Sequence, residues 1–180
     1  MDTTTSAYRL LTLTAISGEC STNILSGIGI SPSYGEKLIT KLKEDNLLKT
    51  HYKDRLRGYR LTRTGKKLLL EENPERFAFY LSGSTDTNRP RSDYTRRIRL
   101  QQSSIVYSML LNAGVTLFRD EKPPLFRDGN PEHMMLPSPS FYHSREIKEL
   151  GAETIKINNS RALGVILAPK CIYVVQVIPY

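Results

Sequence analysis

The spacing of apolar residues between Ala7 and Leu70 changes from helical to strand-like and back, and this order constrains the fold more than any other feature. Apolar residues three or four positions apart predict three helices, over residues 7–16, 22–25 and 32–45. Alternating residues predict two short strands, 47–52 and 59–62, which are joined by a charged turn and followed by a fourth helix. The first 70 residues therefore predict a small mixed domain with one β-hairpin.

The third predicted helix has an apolar face and a basic face. Ser31 and Pro32 are typical first residues of a helix, because serine caps free amides and proline suits the first turn. Apolar residues at helical spacing, including Leu38 and Leu42, predict that one side packs on a core. The other side and the first turn carry Ser31, Ser33, Tyr34, Lys37 and Lys41.

The positive charge of the chain lies almost wholly in its first half. The formal net charge is +8; residues 1–99 hold 18 Lys/Arg and 11 Asp/Glu, and residues 100–180 hold 8 and 7. Residues 31–67 alone hold 11 basic and 4 acidic residues, which is the whole excess of the first half. Such asymmetry favours a polyanionic partner. A solvated basic surface without a partner is the alternative.

Helix, hairpin and charge together predict a winged helix-turn-helix that binds double-stranded DNA. The first turn of a recognition helix reaches base edges in the major groove, and arginines at the tip of the wing follow phosphates or enter the minor groove. The predicted DNA contacts are Ser31, Ser33, Tyr34, Lys37, Lys41, Lys53, Arg55, Arg57 and Arg60.

The segment GYRLTRTGKKLL (residues 58–69) resembles the passage from wing to helix in MarR- and PadR-type winged-helix proteins. The preceding LKEDNLLKTHY (residues 42–52) is similar to their recognition helix leading into the first wing strand. This resemblance covers residues 7–72 and implies the same winged-helix fold and DNA binding.

A longer resemblance is to the replication-relaxation family of plasmids and conjugative elements. It is carried by the winged helix, by YTRRIRLQQSSIVYSMLLNAG, by SREIK and by SRALGVILAPKCIYVV in that order. It implies a role in initiating plasmid replication or DNA transfer.

The second half predicts a separate, smaller domain. We place the winged helix at residues 1–81, a linker at 82–91 and a helix-plus-β-sheet domain at 92–180. A long helix is predicted over 94–112, where Tyr94, Ile98, Ile105 and Met109 recur at multiples of three or four, and a strand is predicted at 115–118. The hairpin of 163–168 and 171–178 is apolar on both faces, which is typical of strands buried on both sides.

Three arginines near the start of the long helix, Arg96, Arg97 and Arg99, leave three interpretations open. They extend the DNA contacts, form a solvated face or meet an acidic partner.

No catalytic, cofactor or metal site is predicted. Three histidines and two cysteines are scattered without metal-ligand spacing, and there is no phosphate-binding glycine loop or nucleophile-elbow motif. A nuclease needs clustered carboxylates, but the hairpin strands carry none; Glu146, Glu149 and Glu153 precede them at helix or loop spacing. We therefore expect a protein that is not an enzyme.

The chain has no apolar stretch long enough for a membrane span and no secretory signal at its start, so we expect a cytoplasmic protein without a membrane partner. The sequence predicts an α+β protein that binds a specific DNA site as an accessory factor in replication or conjugative transfer of a mobile element. The alternative is a transcriptional repressor whose second domain dimerises or senses a ligand. The expected partners are double-stranded DNA and either a second copy or a replication or transfer protein.

Overall fold

A computed structural model describes residues 5–81, 93–123, 138–148 and 162–178. The protein is α+β and divides into two compact units, Met1–Met109 and Leu110–Tyr180. None of the helices in these ranges is both long and apolar enough to cross a membrane.

The first unit holds eight consecutive elements before residue 82 and most of a long helix after it. They are α1 (Ser6–Ser17), β1 (Cys20–Ser21), α2 (Ile24–Gly27), α3 (Pro32–Glu44), β2 (Leu48–Lys53), β3 (Leu56–Leu61), α4 (Arg63–Glu72) and α5 (Pro74–Leu81), followed by α6 (Tyr94–Asn112). The predicted helices and strands before residue 72 all form, each within a few residues of its expected bounds.

The first sheet is antiparallel, with strand order β1-β3-β2. Lys53 pairs with Leu56, so Asp54 and Arg55 form a two-residue turn, with φ of 53° and 60°. Turns of this length suit the twist of a hairpin when both central residues are left-handed, and aspartate tolerates that region better than most residues. Asp54 and Arg55 therefore form the tip of the hairpin.

The core of the first unit lies between α1, the sheet and the helices that follow the hairpin. Leu10, Leu11 and Leu13 on α1 are fully buried, as are Leu69 on α4 and Phe77 on α5. Full burial of such side chains contributes about 1.5–3 kcal/mol each. This core holds α3 and the hairpin on one framework.

The start of α4 joins the hairpin to the core. The Thr62 hydroxyl accepts a hydrogen bond from the Gly65 amide at 3.0 Å, which caps the helix. A Cβ atom on Gly65 would overlap the carbonyl oxygen of Leu47, so only glycine lets α4 approach the turn between α3 and β2.

The division between the two units differs from the predicted one. It falls after Met109, within α6, whereas we had placed α6 in the second domain. The reason is that side chains of α6 are buried within the first unit, where Arg97 and Ser104 hydrogen-bond to residues before position 60. The predicted linker 82–91 lies outside the described residues.

The buried face of α6 is not the one that carries its apolar repeat. Tyr94 is 48% exposed and Met109 62% exposed. The buried side chains are mainly polar: Arg97, Gln101, Ser103, Ser104, Tyr107 and Ser108. The helix forms as predicted, and its polar face is buried because α6 supplies hydrogen bonds to buried polar groups of the first unit.

The second unit contains a three-stranded antiparallel sheet, β4 (Ser140–His143), β5 (Ala162–Ala168) and β6 (Cys171–Gln176), in the order β4-β5-β6. A short helix, α7 (Ser144–Lys148), follows β4. The predicted strand at 115–118 is wrong, because only Thr116 forms a bridge there, to Ser140.

The hairpin of β5 and β6 forms as predicted, but it is not buried on both sides. Ile172 and Val174 on β6 are 70% and 69% exposed. Tyr173, on the other face, is 55% exposed, and among the described strands β6 pairs with β5 alone.

Candidate nucleic-acid interface

α3 presents all of its predicted contact residues to solvent. Its buried side is formed by Gly35, Leu38, Ile39 and Leu42. The opposite side and the first turn expose Ser31, Ser33, Tyr34, Lys37 and Lys41, with Tyr34 50% exposed. The Ser31 hydroxyl makes no capping hydrogen bond to α3. The first turn of α3 is therefore accessible to a partner.

A second exposed group lies on the β2–β3 hairpin. Four basic side chains project there, and we call them the basic hairpin: Lys49, Lys53, Arg55 and Arg57, all exposed. Arg63, at the start of α4, is exposed as well. A cluster of this kind is typical of surfaces that meet phosphates.

Tyr52 is a further exposed side chain of the hairpin, although the sequence did not single it out. It is 67% exposed and lies directly opposite Arg57 in the ladder. Strand alternation places Tyr52 on the face of the buried Leu48, which predicts burial. Tyr52 is exposed because it lies in the part of the hairpin that extends beyond the core. The alternation of residues along a strand does not show where the core ends.

The positive charge is concentrated in the hairpin and α4 rather than on α3. Residues 31–45 hold three basic and three acidic residues, whereas residues 46–67 hold eight basic and one acidic. Glu36, Glu44 and Asp45 are exposed beside the lysines of α3. Electrostatic attraction to a polyanion therefore comes mainly from the hairpin side.

Arg60 has a different role from the one predicted. Its side chain is only 15% exposed, and its Nη2 lies 2.6 Å from Oε2 of Glu19, which is fully buried. Because the guanidinium neutralises a carboxylate inside the first unit, we remove Arg60 from the predicted DNA contacts.

Glu19 is the centre of a buried polar cluster, the Glu19 cluster, made of Glu19, Arg60, Arg97 and Gln101. The Glu19 and Arg97 side chains are both fully buried, with Arg97 Nη2 2.8 Å from Glu19 Oε1. Gln101 donates from Nε2 to the same oxygen at 2.7 Å. A buried carboxylate is stable only when it is paired and hydrogen-bonded in this way.

The cluster requires the glycine at position 58. A Cβ atom there would overlap Oε1 of Glu19 and Nε2 of Gln101. The glycine of the GYRLT segment thus leaves space for the carboxylate behind β3, rather than shaping the hairpin turn.

The environment of Glu19 lowers its pKa. Burial by itself raises this pKa, but hydrogen bonds from Arg97 and Gln101 and the charge of Arg60 outweigh it, so the pKa lies below its usual 4.5. A group whose pKa is lowered on folding stabilises the fold above its unfolded pKa, and that contribution is lost as the pH falls through the folded pKa.

We therefore expect the free energy of unfolding to fall on acidification below about pH 4.5, and to fall less steeply in Glu19→Gln. Urea unfolding followed by circular dichroism from pH 7 to pH 3 measures both curves. The pKa of His51 is lowered by burial and by the nearby Arg60 but raised by the charge of Glu19, so both curves are measured in a His51→Gln background. Parallel curves below pH 4.5 would contradict the assignment.

The three arginines of α6 have separate environments. Arg97 is buried and meets an acidic group of its own chain, whereas Arg96 and Arg99 are exposed. The sequence offered one clue to this difference: Arg97 and Gln101 are one helical turn apart, on a stripe that continues to Ser104 and Ser108.

The second unit contains a smaller buried ion pair. Lys122 Nζ lies 2.7 Å from Glu146 Oε2 and also donates to the carbonyls of Leu117 and Phe141. Burial lowers the Lys122 pKa, which the charge of Glu146 partly offsets. Glu146 thus holds a loop against β4. Glu149 and Glu153 lie outside the described residues, and no group of His, Cys, Asp and Glu within the described ranges is suited to hold a metal ion.

Comparison of the chain with protein-family models, curated proteins and solved structures gives no match. The interpretation of this surface therefore rests on its own residues.

Proposed function

We propose that the first unit binds double-stranded DNA, without catalysis, as a winged helix in which α3 is the recognition helix and the β2–β3 hairpin is the wing. The observation that carries the proposal is the exposed basic hairpin, with Tyr52 beside Arg57, next in the chain to a helix whose first turn is also exposed. Three residues separate α3 from β2, so the two exposed groups belong to one continuous structure.

The two groups suit different tasks. α3 has 13 residues and carries hydrogen-bonding side chains of mixed charge on its outer side, which suits contact with base edges. The basic hairpin is strongly positive and has one acidic residue, Asp54, at its tip, which suits contact with phosphates. We therefore expect sequence preference to come from α3 and most of the affinity from the hairpin.

The biological role that we propose is that of an accessory factor binding a specific site in replication or conjugative transfer of a mobile element. This role rests on the resemblance of the chain to the replication-relaxation family. Sequencing the DNA fragments retained by the protein tests it: an origin of replication or transfer supports the proposal, and the promoter of its own gene supports a transcriptional repressor instead.

The division of tasks predicts different effects for two alanine substitutions. Lys37→Ala should weaken binding to the preferred site by about 1–3 kcal/mol and binding to scrambled DNA much less, because base-edge contacts carry discrimination. Arg57→Ala should weaken binding to both duplexes nearly equally, because a phosphate contact is independent of sequence. Fluorescence anisotropy titrations with each duplex measure these effects.

Lys170→Ala is the matched control, since Lys170 is an exposed basic residue in the turn of the second unit. It should leave both titrations unchanged. If Arg57→Ala altered sequence preference and Lys37→Ala had no effect, the assignment of α3 as the recognition helix would be wrong. If all three variants bound like the original protein, the proposed surface itself would be wrong.

The second unit is proposed to contact a protein, either a second copy or a component of the replication or transfer machinery. The exposed apolar side chains of β6 support a contact of this type, because an uncovered edge strand readily pairs with another chain.

A further inference from the structure

We propose that Arg97 is a positioning residue for the wing: from α6 it fastens the tip of the β2–β3 hairpin in the orientation in which Arg55 and Arg57 meet DNA. The expected effect of Arg97 on DNA binding rests on the proposed function. The hydrogen bonds that hold the hairpin do not depend on it.

The hairpin loses its neighbouring strand before it reaches its tip. β1 pairs with β3 only at Tyr59 and Gly58, so Leu56 and Arg57 have no partner strand on that side among the described residues. A two-stranded hairpin without further support is at best marginally stable in water. The basic hairpin thus requires another source of order.

Side chains of α6 supply hydrogen bonds to this part of the hairpin. Arg97 donates from Nη1 to the carbonyl of Lys53 at 2.8 Å, and from Nη2 to the carbonyls of His51 at 3.1 Å and Leu56 at 3.0 Å. Gln101 donates from Nε2 to the carbonyl of Arg57 at 3.1 Å. Both strands on either side of the turn are therefore attached to one helix.

Glu19 makes this attachment rigid. Its carboxylate binds Nε of Arg97 at 3.1 Å and Nη2 at 2.8 Å, so the planar guanidinium is fixed while its remaining donors face the hairpin. The planar, multidentate guanidinium is suited to such a junction, and a lysine ammonium cannot reproduce its geometry.

The attachment leaves the hairpin face that carries Arg57 free. Gly58 lies against Glu19 and Gln101, and successive strand residues point to opposite faces, so Arg57 and its partner Tyr52 lie on the other face of the hairpin. Because Arg97 is fully buried, it acts on DNA only through the hairpin. A hairpin already held in its binding orientation loses less conformational freedom on binding.

The substitution Arg97→Lys keeps a positive charge beside Glu19 and removes the hydrogen bonds from the guanidinium to the carbonyls of the hairpin. Arg96→Lys is its matched control, because Arg96 is the preceding residue on α6 and is exposed. In the full chain, amide hydrogen exchange of residues 53–57 should be about tenfold or more faster in Arg97→Lys, and unchanged in Arg96→Lys, since local opening is set by local contacts. Amides of α1 and α3 should accelerate by a smaller factor, because they do not depend on the bonds between Arg97 and the hairpin.

A double-mutant cycle with Arg57 separates positioning from general stability. Arg57→Ala should weaken duplex binding about fivefold in the original protein and less than twofold in the Arg97→Lys background. The reason is that a DNA contact contributes less when the hairpin that makes it is not fixed in position. Equal losses in both backgrounds, or unchanged exchange at residues 53–57, would overturn the proposal. Exchange that accelerated evenly throughout the first unit would also overturn it, since that is the result of a purely structural role.

Should Arg97→Lys show no cooperative unfolding, Gln101→Met provides the same test, because it removes only the hydrogen bonds to Glu19 and to the Arg57 carbonyl. It should accelerate exchange around Arg57 in the same direction by a smaller factor, and no acceleration would overturn the proposal. If the original protein bound no duplex, only the proposed function would be overturned. Hydrogen exchange would still test the attachment of the hairpin, because it is measured without DNA.

Discussion

Replacing Glu19 by alanine is expected to lower the free energy of unfolding by about 3–5 kcal/mol, because it removes the only carboxylate from a buried cluster that holds two arginines. Arg97 is fully buried and cannot reach water, while Arg60 is 15% exposed. Without Glu19 the two guanidinium groups repel each other in a poorly solvated space. A loss of this size is a large share of the stability of a domain of this length.

Glu71→Ala provides the matched control for this prediction. Glu71 also pairs with a basic residue, Lys67, but both side chains are well exposed and the separation is 3.4 Å. Exposed pairs of this type contribute about 0.3–0.5 kcal/mol. Urea unfolding at neutral pH followed by circular dichroism measures both variants, and a Glu19→Ala cost as small as that of Glu71→Ala would show that the cluster does not support the fold.

The affinity for duplex DNA should fall roughly a thousandfold or more between 50 and 300 mM monovalent salt. Five exposed basic residues in the hairpin and at the start of α4, from Lys49 to Arg63, are available for phosphates. If about 4–6 phosphates are neutralised, the released counterions give a log–log slope of roughly −4 to −5. Anisotropy titrations across this range measure the slope.

Removing two of these charges should change the slope and not only the affinity. Lys53→Gln combined with Arg57→Gln is expected to lower the slope by about two, since each phosphate contact contributes about 0.9. Lys170→Gln, in the second unit, should leave it unchanged. A slope near zero in the original protein would exclude the proposed mode of binding.

Local spacing was sufficient to predict the helices and strands between residues 6 and 72 except β1, which forms by pairing with β3 about 40 positions away. The buried side of α3 and the exposure of Lys37 and Lys41 follow from the 3.6-residue repeat of a helix. The exposed charges of the hairpin follow from a short strand–turn–strand pattern in the same way. These features depend on residues within a few positions of one another.

The roles of the arginines required the tertiary structure. Arg57, Arg60 and Arg97 are chemically identical, yet Arg57 is exposed and the other two bind Glu19. Arg97 and Glu19 are 78 positions apart, and no local periodicity relates them. From the sequence these arginines could all lie on one basic surface. In the fold, Arg60 and Arg97 instead pair with a buried carboxylate.

Contacts between residues distant in the chain also determine which side chains of α6 and β6 are buried. Tyr94 and Met109 belong to the apolar repeat of α6 but are exposed, because the buried carboxylate and hairpin carbonyls of the first unit require hydrogen-bond donors and α6 turns its polar stripe toward them. β6 has the composition of a central strand but the position of an edge strand among the described strands. The sequence by itself determined the longer helices and strands, because these depend on local periodicity, whereas the short strands β1 and β4 form only through pairing with strands distant in the chain. Only the tertiary structure decided which face each segment buries, because burial depends on groups that are distant in the chain.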